Sequence, residues 1–373
     1  MTHPARKLTF DELWAGLKAA KTTGDVNENI GSDGLSLFCY SKSCVYERHW
    51  DEMTMLARGI ILDPAEKRVV ATPFPKFFNV GERADSIPDL PFEVFEKMDG
   101  SLIILFHHKG QWRCATKGSL GSDQAKWAAK WISNFDLSAL EPGTTYLAEA
   151  LYPENRIVVH YQKTGLTLLG AYREDGSEMV YNDLAMLALK LGWDIAKRFA
   201  FNAMSELIAT ANALLGNEEG FVLRFEGGER LKVKGDEYCR IHRLVSRVTP
   251  LAMWAAMAAG DDLDALRREL PEEFWADFDA IIAALRDRLD RLLDAVRAAA
   301  EAVADLSDKE LGLRLETIPE DARRFVFPYR KNGGDLLTGR TRETIFREIR
   351  PTGNVLPGYE PSSTMNRVLE EVA

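Results

Sequence analysis

Between residues 34 and 181 the chain alternates short apolar runs with turn-forming residues, and the runs have the length and period of strands. GLSLFCYS (34–41), ARGIILD (57–63), KRVVATPF (67–74) and FEVFEK (92–97) come first. SLIILF (101–106) and WRCATK (112–117) predict a hairpin with His107 and His108 on its solvated turn. TYLAEALY (145–152), RIVVHY (156–161), LTLLGAYR (166–173) and EMVY (178–181) continue the series, and EGFVLRFEGGERLKVKG (219–235) predicts a last hairpin with Gly227-Gly228 near its tip. Helical spacing marks 9–20, opened by the capping-box pattern Thr9-x-x-Glu12, and the stretches 182–192 and 202–215. Beyond about residue 245 strand signals stop, and alanine, leucine and alternating charges take over. There, DFDAIIAALRDRLDRLLDAVRAAAEAVADL (277–306) puts Phe278, Ile281, Ile282, Leu285, Leu289, Leu292, Leu293 and Val296 on one helical face. The pattern predicts an α+β domain over 1–244, built of antiparallel sheets with flanking helices, followed by an all-α domain over 245–373.

Composition narrows the class. The 373 residues are 46% hydrophobic and 28% charged, as in globular proteins, and no apolar stretch is long enough to span a bilayer. Four cysteines (Cys39, Cys44, Cys114, Cys239) form no CxxC pair, and no secretory signal opens the chain, so a reduced, cytoplasmic setting is expected. The net charge of −10 argues against strong non-specific attachment to nucleic acid, yet an enzyme that releases its product can confine its cations to one channel. P-loop and dinucleotide-binding glycine patterns are missing, as are paired metal-ligand spacings.

What remains is a scattered set of lysines, arginines and acids on strand-like segments. In EKMDGSLIILF (96–106), Lys97 and Asp99 precede Gly100 and an apolar run. Asp-Gly by itself predicts a turn. The alternative is a nucleophilic lysine held at a strand end. Lys232 and Lys234, two apart in LKVKG, point to the same face of a strand, and two neighbouring cations favour an anion between them. Glu149 in YLAEALY and Glu219 in EEGFVLRF are acids among apolar neighbours, where a carboxylate needs a partner or a metal. Together these residues predict an anion site with metal-binding acids.

The order Lys-x-Asp-Gly-Ser, then Glu149, then Glu219-Gly-Phe-Val, then Lys-x-Lys resembles the nucleotidyltransferase motifs of ATP-dependent polynucleotide ligases. ARGIILD (57–63), PKFFNVGE (75–82), ATKGS (115–119), PENRIVVHY (153–161) and KVKGDEYCRIH (232–242) make it similar, more narrowly, to the phage RNA ligase 1 family. The resemblance implies that Lys97 attacks the α-phosphorus of ATP to give lysyl-AMP, with its pKa lowered by neighbouring cations. It implies Lys232 and Lys234 as catalytic cations, and Asp99, Glu149 and Glu219 as ligands of Mg²⁺ or Mn²⁺. It further implies a nucleotide site made of Tyr40, Arg58, Lys76, Gly100, Lys117, Arg173 and Tyr238 with those residues. Asp261-Asp262 resembles a further metal pair of the family, although a helix N-cap explains two such acids equally well. The implied reaction moves AMP from Lys97 to an RNA 5′-phosphate, and a 3′-hydroxyl then displaces it to seal the strand.

Residues 323–350 hold eight Arg or Lys against three Asp or Glu, interleaved with Phe325, Phe327 and Tyr329. Basic residues among aromatics suit single-stranded RNA, which makes Arg323, Arg324, Arg330, Lys331, Arg340 and Arg342 candidate RNA contacts. The plain alternative is that these arginines bridge to neighbouring helices and the aromatics are core. The resemblance implies a role in RNA repair, with nicked tRNA as one substrate and an end-healing kinase-phosphatase as a functional partner. Rival readings are a DNA ligase or capping-type nucleotidyltransferase, which carry a small β-barrel after the second motif lysine, and a non-catalytic RNA-binding protein on a ligase fold.

Overall fold

A computed structural model describes residues 2–83, 87–271, 274–353 and 355–359. The chain divides into two compact units, Met1–Cys239 and Arg240–Ala373, against a composition change at 244/245.

Among the described residues of the first unit fourteen strands run in chain order: β1 (Val26–Ile30), β2 (Ser36–Tyr40), β3 (Arg58–Asp63), β4 (Arg68–Ala71), β5 (Phe78–Asn79), β6 (Phe92–Glu96), β7 (Ser101–His108), β8 (Gln111–Thr116), β9 (Thr145–Leu151), β10 (Gly165–Tyr172), β11 (Asp194–Ile195), β12 (Arg198–Phe199), β13 (Gly220–Phe225) and β14 (Arg230–Lys234). They form three sheets, ordered β1-β2-β3-β4, β11-β10-β9-β7-β8 and β12-β6-β13-β14-β5. Pairing is antiparallel except for β10 with β11 and β14 with β5. The fold is therefore mixed helix and sheet with mainly antiparallel ladders.

Alternating apolar positions explain the packing. Leu35, Leu37 and Ile61 of the first sheet meet Ile104, Phe106 and Leu147 of the second in one buried cluster. In the third sheet Val94, Phe221, Leu223, Phe225 and Val233 pack on Leu207 and Ala211 of the helix Met204–Asn212. The first helix, Phe10–Thr22, starts at Thr9 with the expected reciprocal Thr9–Glu12 capping box.

Three local expectations change. RIVVHY forms no strand: the amides of Val158 and Val159 both donate at 2.8 Å to Oδ2 of Asp99, so they are spent on a side chain instead of a ladder. His107 and His108 are the last residues of β7, the turn is Lys109-Gly110, and His108 is buried with Asp33 3.8 Å away. EMVY contributes only isolated pairing, and β1 went unanticipated because VNENI is polar on its outer face.

In the second unit the named elements of the described residues are helices, the longest being Trp275–Ala302. Seven of the eight residues on its anticipated apolar face are buried, and Leu293 is half-buried. No further strand follows β14 among the described residues.

Candidate active site

Lys97 sits where the chain leaves β6 in the third sheet and crosses to β7 in the second. Its backbone amide donates to Gly220 O at 2.9 Å, which anchors the turn against the start of β13. Gly220 adopts φ +139°, and a Cβ there would lie 2.1 Å from Val233 O, so only glycine lets β13 approach β14 this closely. That approach aims Glu219 at two lysines. Lys97 Nζ donates to Glu219 Oε2 at 2.7 Å, and Lys234 Nζ pairs with Oε1 at 2.9 Å.

Burial alone would lower the pKa of Lys97, but Glu219, Glu149 and Asp99 outweigh it and the net direction is upward. This corrects the expectation that crowding cations lower it: the nearest charges are acids, and the lysine stands protonated in an ion pair. Burial pulls Glu219 up while Lys97 and Lys234 pull it down harder, leaving its carboxylate below the usual range. Lys232 does fall, to about 7, through burial and the charges of Lys76, Lys97 and Lys234.

Asp99 is buried, and both of its oxygens accept hydrogen bonds. Oδ2 takes the two amides of Val158 and Val159, Oδ1 accepts from Tyr238 Oη at 2.7 Å, and its own backbone N–H donates to Tyr161 Oη at 2.8 Å. Gly100 follows because β9 passes so close that a Cβ would lie 2.5 Å from Ala150 O. Asp99 thus ties the lysine turn to the 153–161 segment and to the helix Asp236–Val245. Tyr238, 1% exposed, is a core strut beneath the turn.

Glu149, in the centre of β9, is buried with no side-chain hydrogen bond among the described residues. Burial raises its pKa to about 8 despite the charge of Lys97. Such a carboxyl lacks a cation, and a divalent metal completed by phosphate oxygens fits that need. Among the described residues no three His, Cys, Asp or Glu side chains converge as a metal group. The donor set therefore fits a metal that takes one or two protein carboxylates and the rest of its ligands from substrate.

A stability prediction follows from the sign of that shift. Folded Glu149 holds a proton that the unfolded chain releases, so stability is full below about pH 4.5, declines as pH rises, and carries the whole penalty above about pH 8. Metal-free Glu149→Gln should then exceed the wild type in stability at pH 9 by on the order of a few kcal/mol, and the two should converge near pH 5. Urea melts in chelator at both pH values check this, and equal stability at pH 9 contradicts it.

The other cations rest on aromatic rings. Lys76 Nζ lies 4.6 Å from the Phe78 centroid, 5.1 Å from Trp50 and 5.9 Å from Tyr40; Lys117 lies 5.3 Å from Tyr40. The Arg58 guanidinium is 5.2 Å and Lys232 Nζ 5.8 Å from Phe77. Trp50, Phe77 and Phe78 were missed as site residues in the sequence. Their signal was the aromatic pair directly after Lys76 and a tryptophan in a loop. The cluster can hold a polyphosphate: its cations are kept in place by π faces that leave their positive charge uncompensated.

Arg173 follows β10, and its guanidinium reaches Asp183 at 3.6 Å, the salt bridge that a strand-end arginine would make. In the second unit Arg323 donates to the carbonyls of Glu316 and Ile318, Arg330 to those of Val303 and Leu306, and Arg342 to those of Met257 and Ala258. Arg324 pairs with Glu348 at 2.9 Å. Phe325 is buried core. Lys331 and Arg340 make no side-chain hydrogen bond or ion pair among the described residues. Asp262 caps the helix Leu263–Glu269 through Ala265 N–H.

The three-sheet fold resembles an archaeal ATP-dependent RNA ligase structure at a TM-score of 0.52, with 15% identity over 75% of this chain and 83% of that one. Residues 56–238, just under half of the chain, match the RNA ligase family model. The chain is 27% identical, over 59% of its length, to a protein of Autographa californica nuclear polyhedrosis virus described as a bifunctional polynucleotide kinase/RNA ligase. The match spans 36% of that viral protein. It is 21% identical to the RNA ligase of Rhodothermus phage RM378 over 65% of this chain and 71% of the phage protein.

Proposed function

We propose that this protein is an ATP-dependent RNA ligase that joins 5′-phosphate and 3′-hydroxyl ends through lysyl-AMP and RNA-adenylate. The observation that carries the reading is Lys97, held at a sheet-crossing turn against Glu219 and beside a group of cations that have no acid partner among the described residues. In the first step the Nζ lone pair attacks the α-phosphorus, an N–P bond forms, the Pα–O bond breaks, and pyrophosphate leaves. Nζ must first lose the proton that it shares with Glu219, and Glu219 Oε2 at 2.7 Å is placed to take it. Glu149 and Glu219 would hold a divalent cation, whose positive charge would offset these acids and lower the Lys97 pKa.

The lysines Lys76, Lys117, Lys232 and the guanidinium of Arg58 would take the phosphate charge, with Lys234 steadying Glu219. Tyr40 would offer its ring to the base. Asp99, Gly100 and Tyr238 would act by fixing the Lys97 turn, with both Asp99 oxygens already accepting hydrogen bonds. We assign 1–244 to adenylyl transfer and 245–373, as an all-α domain, to RNA choice, with Lys331 and Arg340 as contacts. The absence of a strand after β14 among the described residues disfavours the DNA ligase and capping readings. Nicked tRNA is the substrate in view, and a kinase activity that prepares its ends is the fitting companion.

The test supplies ATP, Mg²⁺ and an RNA with 5′-phosphate and 3′-hydroxyl ends, and reads joining on a denaturing gel. Joined RNA that requires ATP supports the reading. RNA binding without joining would move the protein to the non-catalytic alternative.

A further inference from the structure

We infer that Trp50 is a positioning residue: with Tyr40 and Phe78 it forms an aromatic cage that presents the Lys76 ammonium to the β- and γ-phosphates of the nucleotide and to pyrophosphate. The inference rests on the polyphosphate site proposed above and adds a residue that no motif marks. Trp50 lies between the helices Lys42–Glu47 and Glu52–Leu56, outside every strand. Its ring meets Tyr40 edge-to-face at 5.1 Å and Phe78 at 5.4 Å, with interplanar angles of 81° and 79°. These three rings, from the end of β2, a loop and β5, surround one ammonium.

Lys76 makes no ion pair among the described residues. The acid nearest in sequence, Glu82, is engaged instead by Asn79, whose backbone N–H and side-chain amide donate to Oε2 at 2.8 and 2.6 Å. Lys76 is half-buried, and burial lowers its pKa from the ordinary lysine value. The main-chain amide of Lys76 is pinned to Met55 O at 2.8 Å, so both ends of the residue are fixed. A lysine on a flexible stem normally loses rotamer freedom when it binds an anion. Here the rings have already confined it, and an ammonium resting on ring faces keeps N–H bonds for a phosphate. Lys97 and Lys234 differ in kind: Glu219 neutralises both. The cage therefore separates phosphate-binding cations from reaction-centre cations.

Equilibrium titrations of the full-length protein with pyrophosphate, ATP and AMP test this, with Trp50→Leu, Trp50→Phe and Lys76→Met. Trp50→Leu should weaken pyrophosphate and ATP by about five- to tenfold, as expected when a desolvated cation–π contact is lost. AMP, which lacks the β- and γ-phosphates, should bind both proteins alike. Trp50→Phe, which keeps a ring face, should stay within about threefold of the wild type. If Trp50→Leu does not fold, Trp50→Met carries the same expectation. Unchanged or tighter pyrophosphate binding, or an equal loss for AMP, overturns the inference; so does a wild type that binds no pyrophosphate. Scoring lysyl-AMP in the same preparations separates the two claims. A wild type that forms none defeats the ligase reading, while the titrations still decide the cage.

Discussion

Lys97→Ala should join no RNA from ATP and a 5′-phosphate end, falling at least ~10⁴-fold below the wild type, the scale seen when a covalent nucleophile is removed. The same variant should still seal a strand whose 5′ end is supplied already adenylylated. Lys97 is needed to carry AMP, and that substrate brings its AMP with it. Alanine also frees Glu219 Oε2 from its 2.7 Å partner while Lys234 keeps Oε1, so the acid stays paired and the turn keeps its Gly220 anchor. Joining by Lys97→Ala from ATP would remove the lysine from the mechanism. Failure on both substrates would give it a structural role instead.

Asp99→Ala should be the most damaging substitution for the fold of the site. It strips the acceptor from the Tyr238 hydroxyl and from the amides of Val158 and Val159, all buried or at the edge of burial. Each orphaned donor costs about 1–3 kcal/mol, so a loss of roughly 3 kcal/mol or more is expected in urea melts, together with loss of lysyl-AMP. Tyr238→Phe removes the hydrogen bond to Asp99 Oδ1 and should cost about 1 kcal/mol while lysyl-AMP still forms. Raising Mg²⁺ should not rescue Asp99→Ala. Rescue by metal with unchanged stability would instead make Asp99 a metal ligand, as the sequence resemblance implied.

These two variants mark the division between what was legible in the sequence and what was not. Lys232 and Lys234 share a face by strand period, and the close approach of β13 to β6 and β14 brings Glu219 to Lys97 and Lys234. Residues 156–161 misled because valine-rich segments favour strands, and nothing local reveals that two of their amides serve an aspartate nearly sixty residues earlier. The direction of the Lys97 shift was also misread, since the order of motifs says which charges gather but not which lies nearest. Trp50 carries no charge or titratable group that chemistry would single out, and only the fold seats it beside Lys76. In 323–350 the charge excess was real. The structure spends Arg323, Arg330 and Arg342 on backbone carbonyls, an accounting that net charge cannot reveal.

The most direct measurement incubates the protein with α-labelled ATP and Mg²⁺, denatures it, and maps the label by peptide mass spectrometry. The account predicts one AMP per labelled chain, on the peptide containing Lys97, through an acid-labile N–P bond that pyrophosphate removes. Absence of label from protein freed of bound nucleotide, or label on another lysine, would contradict it.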